Sequence, residues 1–381
     1  MRGLPARCYV DPARAALEFE AIFARHWQFV CHVADLPAAG TAARFDCLGR
    51  SAFVLRTSGG GLRAFRNACA HRGSRLIDGD ANTGFAFCVD GRVRCPYHGW
   101  TYDEAGVLES IPGGRPLATL EPGDQSLQGL AVAEWQGLVF VAFGPPARPL
   151  GEALGSVTAT WPDATPLRRC GEPRSLPVEA DWKLACEHLL DADHWDLTRP
   201  AARRRLFAPL RYAVAGPDAL AATAALDDEA KMAWPARAYA QLLARRAGDP
   251  CARAIFLWPN LCVTATPDGL TVTQVQPGAA AGRCTLRVLR YVTVDVAREM
   301  RALRYLHDRV MRRAWHDDAR LLARLQQGLA SADPAHTAPL GASESALAWF
   351  AERCSGSDAA SAPVRPPRRT LRRKTVAVAA P

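Results

Sequence analysis

The sequence predicts an α+β protein built from two domains. An antiparallel β domain spans residues 28–150, and a mixed domain with an antiparallel sheet and a long helix spans residues 151–354. Three observations carry that prediction. The chain of 381 residues is too long for one average domain and comfortable for two, each with its own core. From Phe45 to Phe143 it alternates short β-type runs with glycine turns. Its second half sets β-type runs at 254–266, 270–277 and 284–294 before one amphipathic stretch at 297–330.

Taken in order, residues 11–36 read as a helix leading into an aromatic-rich strand. Asp11-Pro12 supplies an N-cap and a first-turn proline, and Leu17, Ile22 and Phe23 lie near helical spacing. Residues 1–27 form an N-terminal helical segment expected to pack on the second domain. Ser51 to Arg56, Leu62 to Arg66, Phe85 to Val89 and Arg92 to Arg94 are short strands, with Asp90-Gly91 as a two-residue hairpin signal. Leu138 to Phe143 is a buried strand closed by Gly144-Pro145-Pro146. A helix follows near 182–194. No internal repeat is visible.

Within the β domain, Cys69-Ala70-His71 is followed by Cys95-Pro96-Tyr97-His98-Gly99-Trp100. Two Cys-His pairs of this kind can hold a [2Fe-2S] cluster, with thiolates on one iron and imidazoles on the other. Zinc takes the same ligand types. Gly73 after the first pair, Gly99-Trp100 after the second and the stiffening Pro96 favour the cluster, with Cys69, His71, Cys95 and His98 as its ligands. The remaining cysteines show no regular spacing and read as small buried hydrophobes in a reducing compartment.

Composition excludes several classes. With 49% hydrophobic and 22% charged residues the chain is globular. No apolar run is long enough to span a bilayer, and no apolar stretch resembles a secretory signal, so the expected location is cytoplasmic. The net charge of +9 hints at nucleic acid. Yet six cations of the Pro- and Ala-rich tail, residues 355–381, supply more than half of it against Asp358. That tail reads as disordered, and neither a nucleic-acid nor a membrane partner is expected.

Two helices carry further chemistry. At 100° per residue over 182–194, Trp182, Ala185, Cys186, Leu189 and Leu190 share an apolar face. Glu187, Asp191 and His194 form a neighbouring stripe, from which His188 projects away. In the long helix Leu303, Leu306, Val310, Ala314, Leu321 and Leu325 define an apolar arc, and Asp318 falls inside it. A carboxylate aimed at a core is costly unless paired, protonated or bound to metal. Asp318 with His194 is a start to an iron site, because two histidines and one carboxylate recur in oxygen-activating centres.

These residues resemble the catalytic α subunits of the Rieske non-haem iron oxygenases (aromatic ring-hydroxylating oxygenases). The likeness runs over residues 9–330. It rests on Asn67 to Gly73, Cys95 to Tyr102, Asp103 to Pro112, Trp135 to Phe143, Asp181-Trp182-Lys183 with Glu187, Asp191 and His194, and Asp318 with Gln326 to Leu329. The resemblance implies a Rieske [2Fe-2S] antiparallel β domain and a helix-grip domain, an antiparallel sheet around a long helix, that holds mononuclear Fe(II). It also implies a ferredoxin or flavin reductase as electron donor, a small organic substrate with O2, and a homotrimer or mixed oligomer. In such trimers Asp191 would bridge to His98 of a neighbour and take part in catalysis. The broad family suggests an aromatic ring as substrate, and quaternary amines as a second class. Trp234, Tyr239, Trp258 and Phe256 could line the pocket, although core packing is the safer reading.

Two departures stand out. Twenty-three residues separate His71 from Cys95, several more than usual, with the excess near Asp90-Gly91. The family's second histidine ligand, five residues after the first, falls on Arg199, whose guanidinium has no lone pair for a metal. Either another side chain (His188 or Asp196) takes that place, or the iron is absent. Two functions therefore stay open: a terminal oxygenase that hydroxylates or demethylates its substrate, and a non-catalytic structural or electron-relay subunit without mononuclear iron.

Overall fold

A computed structural model describes residues 1–78, 85–87, 91–113, 125–161, 166–194, 206–227, 234–245 and 250–360, with only the backbone described for 85–87 and 357–360. Asp90, Asp196, Arg199 and the chain beyond residue 360 lie outside the described residues.

The first half is an antiparallel sheet. Its strands run in the order Gln28–His32, Leu138–Ala142, Gly129–Trp135, Leu62–Arg66, Arg50–Arg56, Thr41–Cys47 and Phe85–Phe87. A small second sheet of Val93–Arg94, Thr101–Tyr102 and Leu108–Ser110 stands beside it. The buried strand expected at 138–143 is fully buried for a clear reason. Val139 and Val141 enter one core layer, whereas Leu138, Phe140 and Ala142 enter another. Successive side chains of a strand point to opposite faces, so a strand covered on both faces must be apolar throughout.

The second half is a larger antiparallel sheet. Cys284–Thr293 pairs with Gly269–Pro277, which continues through Leu261–Thr266, Cys251–Leu257 and Ala219–Ala225 to Ala213–Gly216. Leu167–Arg169 and Arg174–Val178 both pair with Cys284–Thr293. Ile255, Leu257, Val263, Val272 and Leu289 share a core layer with Leu138 and Phe140, so the two large sheets meet through apolar side chains. Polar groups join them as well: Arg169 Nε and the Tyr291 hydroxyl reach the buried Asp35 carboxylate at 2.8 and 2.6 Å.

The long helix, Arg298–Ser331, packs its Leu303, Val310, Ala314 and Leu322 face inward. Leu325, expected in that arc, is 45% exposed, and Leu322 takes the core position. The N-terminal segment packs on this half. Asp11 caps Pro12–Ala21 by accepting from Ala13 N–H at 2.8 Å. From that helix Glu18 meets the buried Lys183 ammonium and the Trp182 indole. Leu17 faces solvent instead of the core. A terminal helix, Ser345–Ala360, carries ordered structure into the stretch assigned to a disordered tail from residue 355. No helix among the described residues is long and apolar enough to cross a membrane.

Candidate metal centres and active site

The first candidate centre sits on two loops of matching build. Cys69 and Cys95 each begin a loop in which the residue four positions on is a glycine at positive φ, Gly73 at 71° and Gly99 at 72°. The glycine N–H closes back on the cysteine carbonyl at 2.8 and 3.0 Å, a turn that an L side chain would strain. Asn67 locks the first loop: its side-chain oxygen accepts from Leu76 and Ile77 N–H at 3.0 and 2.9 Å, and its amide donates to the Ile77 carbonyl.

The loops bring the four expected residues together. Cys69 and Cys95 are buried, whereas His71 and His98 are exposed at the tip with ring centroids 4.8 Å apart. Trp100 stacks flat on His71 at 4.5 Å. The Tyr102 hydroxyl lies 3.0 Å from Cys69 Sγ and accepts from Ala70 N–H. Burial works to raise the Cys95 thiol, but the N–H groups of Tyr97 and His98 directed at its sulfur, with Cys69 and Ser74, hold it below the ordinary thiol value. Adjacent inner sulfurs and outer imidazoles suit a two-thiolate, two-imidazole cluster, and backbone donors around the sulfur suit its negative charge.

The second candidate centre lies where the helix Trp182–Leu190 meets the long helix. That short helix starts at Asp181, whose side chain accepts from Lys183 N–H at 3.0 Å. Gln326 of the long helix accepts from Asp181 N–H and donates to the Tyr9 carbonyl, tying three segments together. The short helix ends at Leu190, where Asp191 takes an extended backbone and its side chain accepts from Asp193 N–H. This turn overturns the expected stripe. His194 lies past the helix end, so the 100° step no longer governs it, and its ring comes within 4.1 Å of the His188 ring. His188, read as projecting away, sits with its Nε2 3.2 Å from Asp318 Oδ1. Glu187 leaves the stripe and accepts from the Tyr9 hydroxyl, while burial pushes its carboxyl up to about 7.

His188, His194 and Asp318 thus offer two imidazole nitrogens and a carboxylate oxygen within 4.8 Å of one another. That donor set is the one non-haem iron uses, with positions left open for other ligands. Asp191 lies 3.4 Å from His194 Nδ1 and orients that ring. Burial acts to raise the Asp191 carboxyl, but His194 and the Asp193 N–H hold it below the usual carboxylate range.

A cavity of about 150 Å³ opens from His188 and Asp318 along the long helix. Leu206, Phe207 and Trp315 make its walls apolar, and Thr264, Thr271 and Thr273 of paired strands line it with hydroxyls. The aromatics considered for this role are elsewhere. Tyr239, Phe256 and Trp258 are buried in core layers, and Trp234 is mostly exposed. Sequence reasoning named His188 as a spare imidazole but aimed it away from the site, although the turn-forming run Asp191-Ala192-Asp193 was the available sign that the helix stops early.

Comparison with known proteins places this geometry. The Rieske [2Fe-2S] domain family matches residues 26–121, and the ring hydroxylating alpha subunit (catalytic domain) family matches residues 168–355. The large oxygenase component of the 2,4-dinitrotoluene dioxygenase system from Burkholderia sp. (strain RASC) is 30% identical over 217 residues, 53% of this chain and 46% of that protein. The carnitine monooxygenase oxygenase subunit of Escherichia coli (strain K12) is 27% identical over 205 residues, 52% of each chain. The chain spans about half the length of the curated relatives it matches. Among solved structures, naphthalene 1,2-dioxygenase from Rhodococcus sp. bound to indole aligns with a TM-score of 0.75 at 20% identity, covering 95% of both chains. The quaternary ammonium Rieske monooxygenase CntA with L-carnitine aligns with a TM-score of 0.71 at 20% identity, covering 94% of this chain and 95% of that one.

Proposed function

Because the chain belongs to the α subunits of the Rieske non-haem iron oxygenases, we propose that it is the terminal oxygenase component of such a system. It hydroxylates or demethylates a small organic molecule, using O2 and electrons supplied through a ferredoxin or flavin reductase. The observation that carries this function is the His188–His194–Asp318 donor set. The non-catalytic alternative rested on Arg199, and His188 supplies a second imidazole without it.

When bound, the [2Fe-2S] cluster and Fe(II) supply one-electron transfer and dioxygen activation. Cys69, His71, Cys95 and His98 would hold the cluster, and the exposed imidazole edges of His71 and His98 give a partner protein access. His188, His194 and Asp318 would hold the iron at one end of an apolar cavity, which keeps water away from a bound substrate. Asp191 is partly exposed and its carboxylate lies 3.4 Å from His194 Nδ1. It suits a bridge to the His98 side of a neighbouring protomer in a homotrimer or mixed oligomer.

Anaerobically prepared protein with a complete cluster is expected to hold about three irons per two acid-labile sulfides. A content that stays at about two irons per two sulfides after ferrous loading would exclude the oxygenase function and leave the relay subunit. Tyr102→Phe removes the hydroxyl beside Cys69 Sγ. A hydrogen bond to a cluster sulfur favours the reduced, more negative state. The variant's midpoint potential is therefore expected to fall by roughly 40 mV, the one-electron equivalent of about 1 kcal/mol. Redox titration followed by electron paramagnetic resonance measures it, and an unchanged potential would mean that the hydroxyl does not donate to the cluster.

A further inference from the structure

The cavity has a second polar end. Eleven residues before Asp318, three turns back and on the same helix face, His307 borders the same space about 16 Å away by helical rise. His307 is buried, and its Nδ1 lies 3.6 Å from Asp268 Oδ1. Asp268 is fully buried and already provided for. Arg290 pairs with its Oδ2, and the hydroxyls of Tyr239 and Thr266 donate to Oδ1 at 2.8 and 2.7 Å. Arg290 also donates to the Thr271 hydroxyl at 3.1 Å, and Thr271 and Thr266 line the cavity beside His307.

This arrangement determines what the imidazole offers. Arg290 balances the Asp268 charge, so His307 is not required as a counter-cation. Burial first, and the nearby guanidinium second, lower the His307 pKa, against the opposing pull of Asp268 and Asp308. At 3.6 Å the Nδ1–Asp268 contact is an electrostatic one, which favours the neutral tautomer whose Nδ1–H faces the carboxylate and whose Nε2 is the acceptor. A histidine needed only to satisfy Asp268 would be superfluous, since three other side chains already bind that carboxylate.

We propose that this end of the cavity is a substrate subsite in which His307, oriented by Asp268, accepts a hydrogen bond from a hydroxyl or N–H group of the substrate. The substrate is then a small, largely apolar molecule with a donor group at one end and the oxidised carbon at the other. Only the placement of that carbon rests on the oxygenase function proposed above. Thr266 and Thr271 complete the polar end, while Phe207 and Trp315 sort for an apolar middle.

Calorimetric titration of the cluster- and iron-loaded protein with 4-ethylphenol and ethylbenzene, alike but for the hydroxyl, tests the subsite. The phenol is expected to bind at least about tenfold more tightly, because a site built for a donor leaves its acceptor unpaired with the hydrocarbon. His307→Phe is expected to bring the two within about twofold, and His307→Gln, which keeps an acceptor, to retain most of the preference. Iron and sulfide contents should not change in either variant. His188→Ala should keep the preference, so a wild-type protein that lacks the third iron but still selects the phenol through His307 would retain the subsite and lose only the oxygenase function. A wild-type protein without the preference, or binding neither compound, overturns the subsite, as does a preference that survives His307→Phe.

Discussion

Replacing His188 with alanine is expected to strip the mononuclear iron while sparing the cluster. Iron content should fall from about three to about two per two sulfides, and substrate-dependent O2 uptake should fall to background. The expectation comes from geometry. His188 Nε2 and Asp318 Oδ1 are 3.2 Å apart and the His194 ring centroid lies 4.1 Å from that of His188, so one metal ion can reach all three. Removing a group that only orients a ligand costs about 10–100-fold in metal affinity, and removing a ligand costs more. His188 also fills buried space, so His188→Gln, which keeps volume and a polar tip, is the companion variant. Both should bind iron more than about 100-fold more weakly while the cluster's visible spectrum persists. A His188→Ala protein that still takes up the third iron would assign the second imidazole's place to some other side chain.

Asp268→Asn is expected to cost about 3–5 kcal/mol of stability at neutral pH, because it leaves the Arg290 guanidinium buried without its anion. Urea denaturation of the two proteins measures the difference. Its pH dependence has a definite sign. Burial alone would raise the Asp268 carboxyl, but Arg290 and His307 hold it well below the usual carboxylate range. A carboxylate lowered on folding stabilises fully above its unfolded value of about 4, and that contribution is lost as pH falls through the lower folded value. The gap between wild type and variant should therefore be flat from about pH 5 to 8 and shrink below about pH 4. A gap that stays constant into strong acid would show that packing, not charge, sets the cost. The same variant frees the His307 ring and should weaken 4-ethylphenol selection, which links the stability of this network to the cavity it borders.

Much of this protein was legible from local pattern. The Cys69–His71 and Cys95–His98 pairs could be read directly, since each loop is closed by its own glycine and needs little from the rest of the chain. Asp318 was legible for a different reason. A carboxylate in an apolar helical arc contradicts its surroundings, and the long helix is regular enough for the 3.6-residue period to place Leu303, Leu306, Val310, Ala314 and Asp318 on its buried face. The Tyr239, Phe256 and Trp258 side chains were rightly read as core.

His188 could be named as a spare imidazole but not placed beside His194, because a projection at 100° per residue is valid only while the helix lasts. An Asx turn at Asp191 follows its end and brings the His194 ring to His188, while Glu187, still within the helix, meets Tyr9. His307 stayed hidden for a broader reason. Its partners Tyr239, Asp268 and Arg290 come from a helix, a turn and a strand far apart in sequence, and only the packing of the sheet against the long helix brings them together. By itself, then, the sequence determined the cluster loops, the two-domain α+β architecture and the buried carboxylate, all of which follow from short-range periodicity and turn chemistry. The tertiary structure alone decided that His188 joins His194 at Asp318 and what the far end of the cavity presents. Those contacts join side chains whose proximity depends on where helices end and which faces pack.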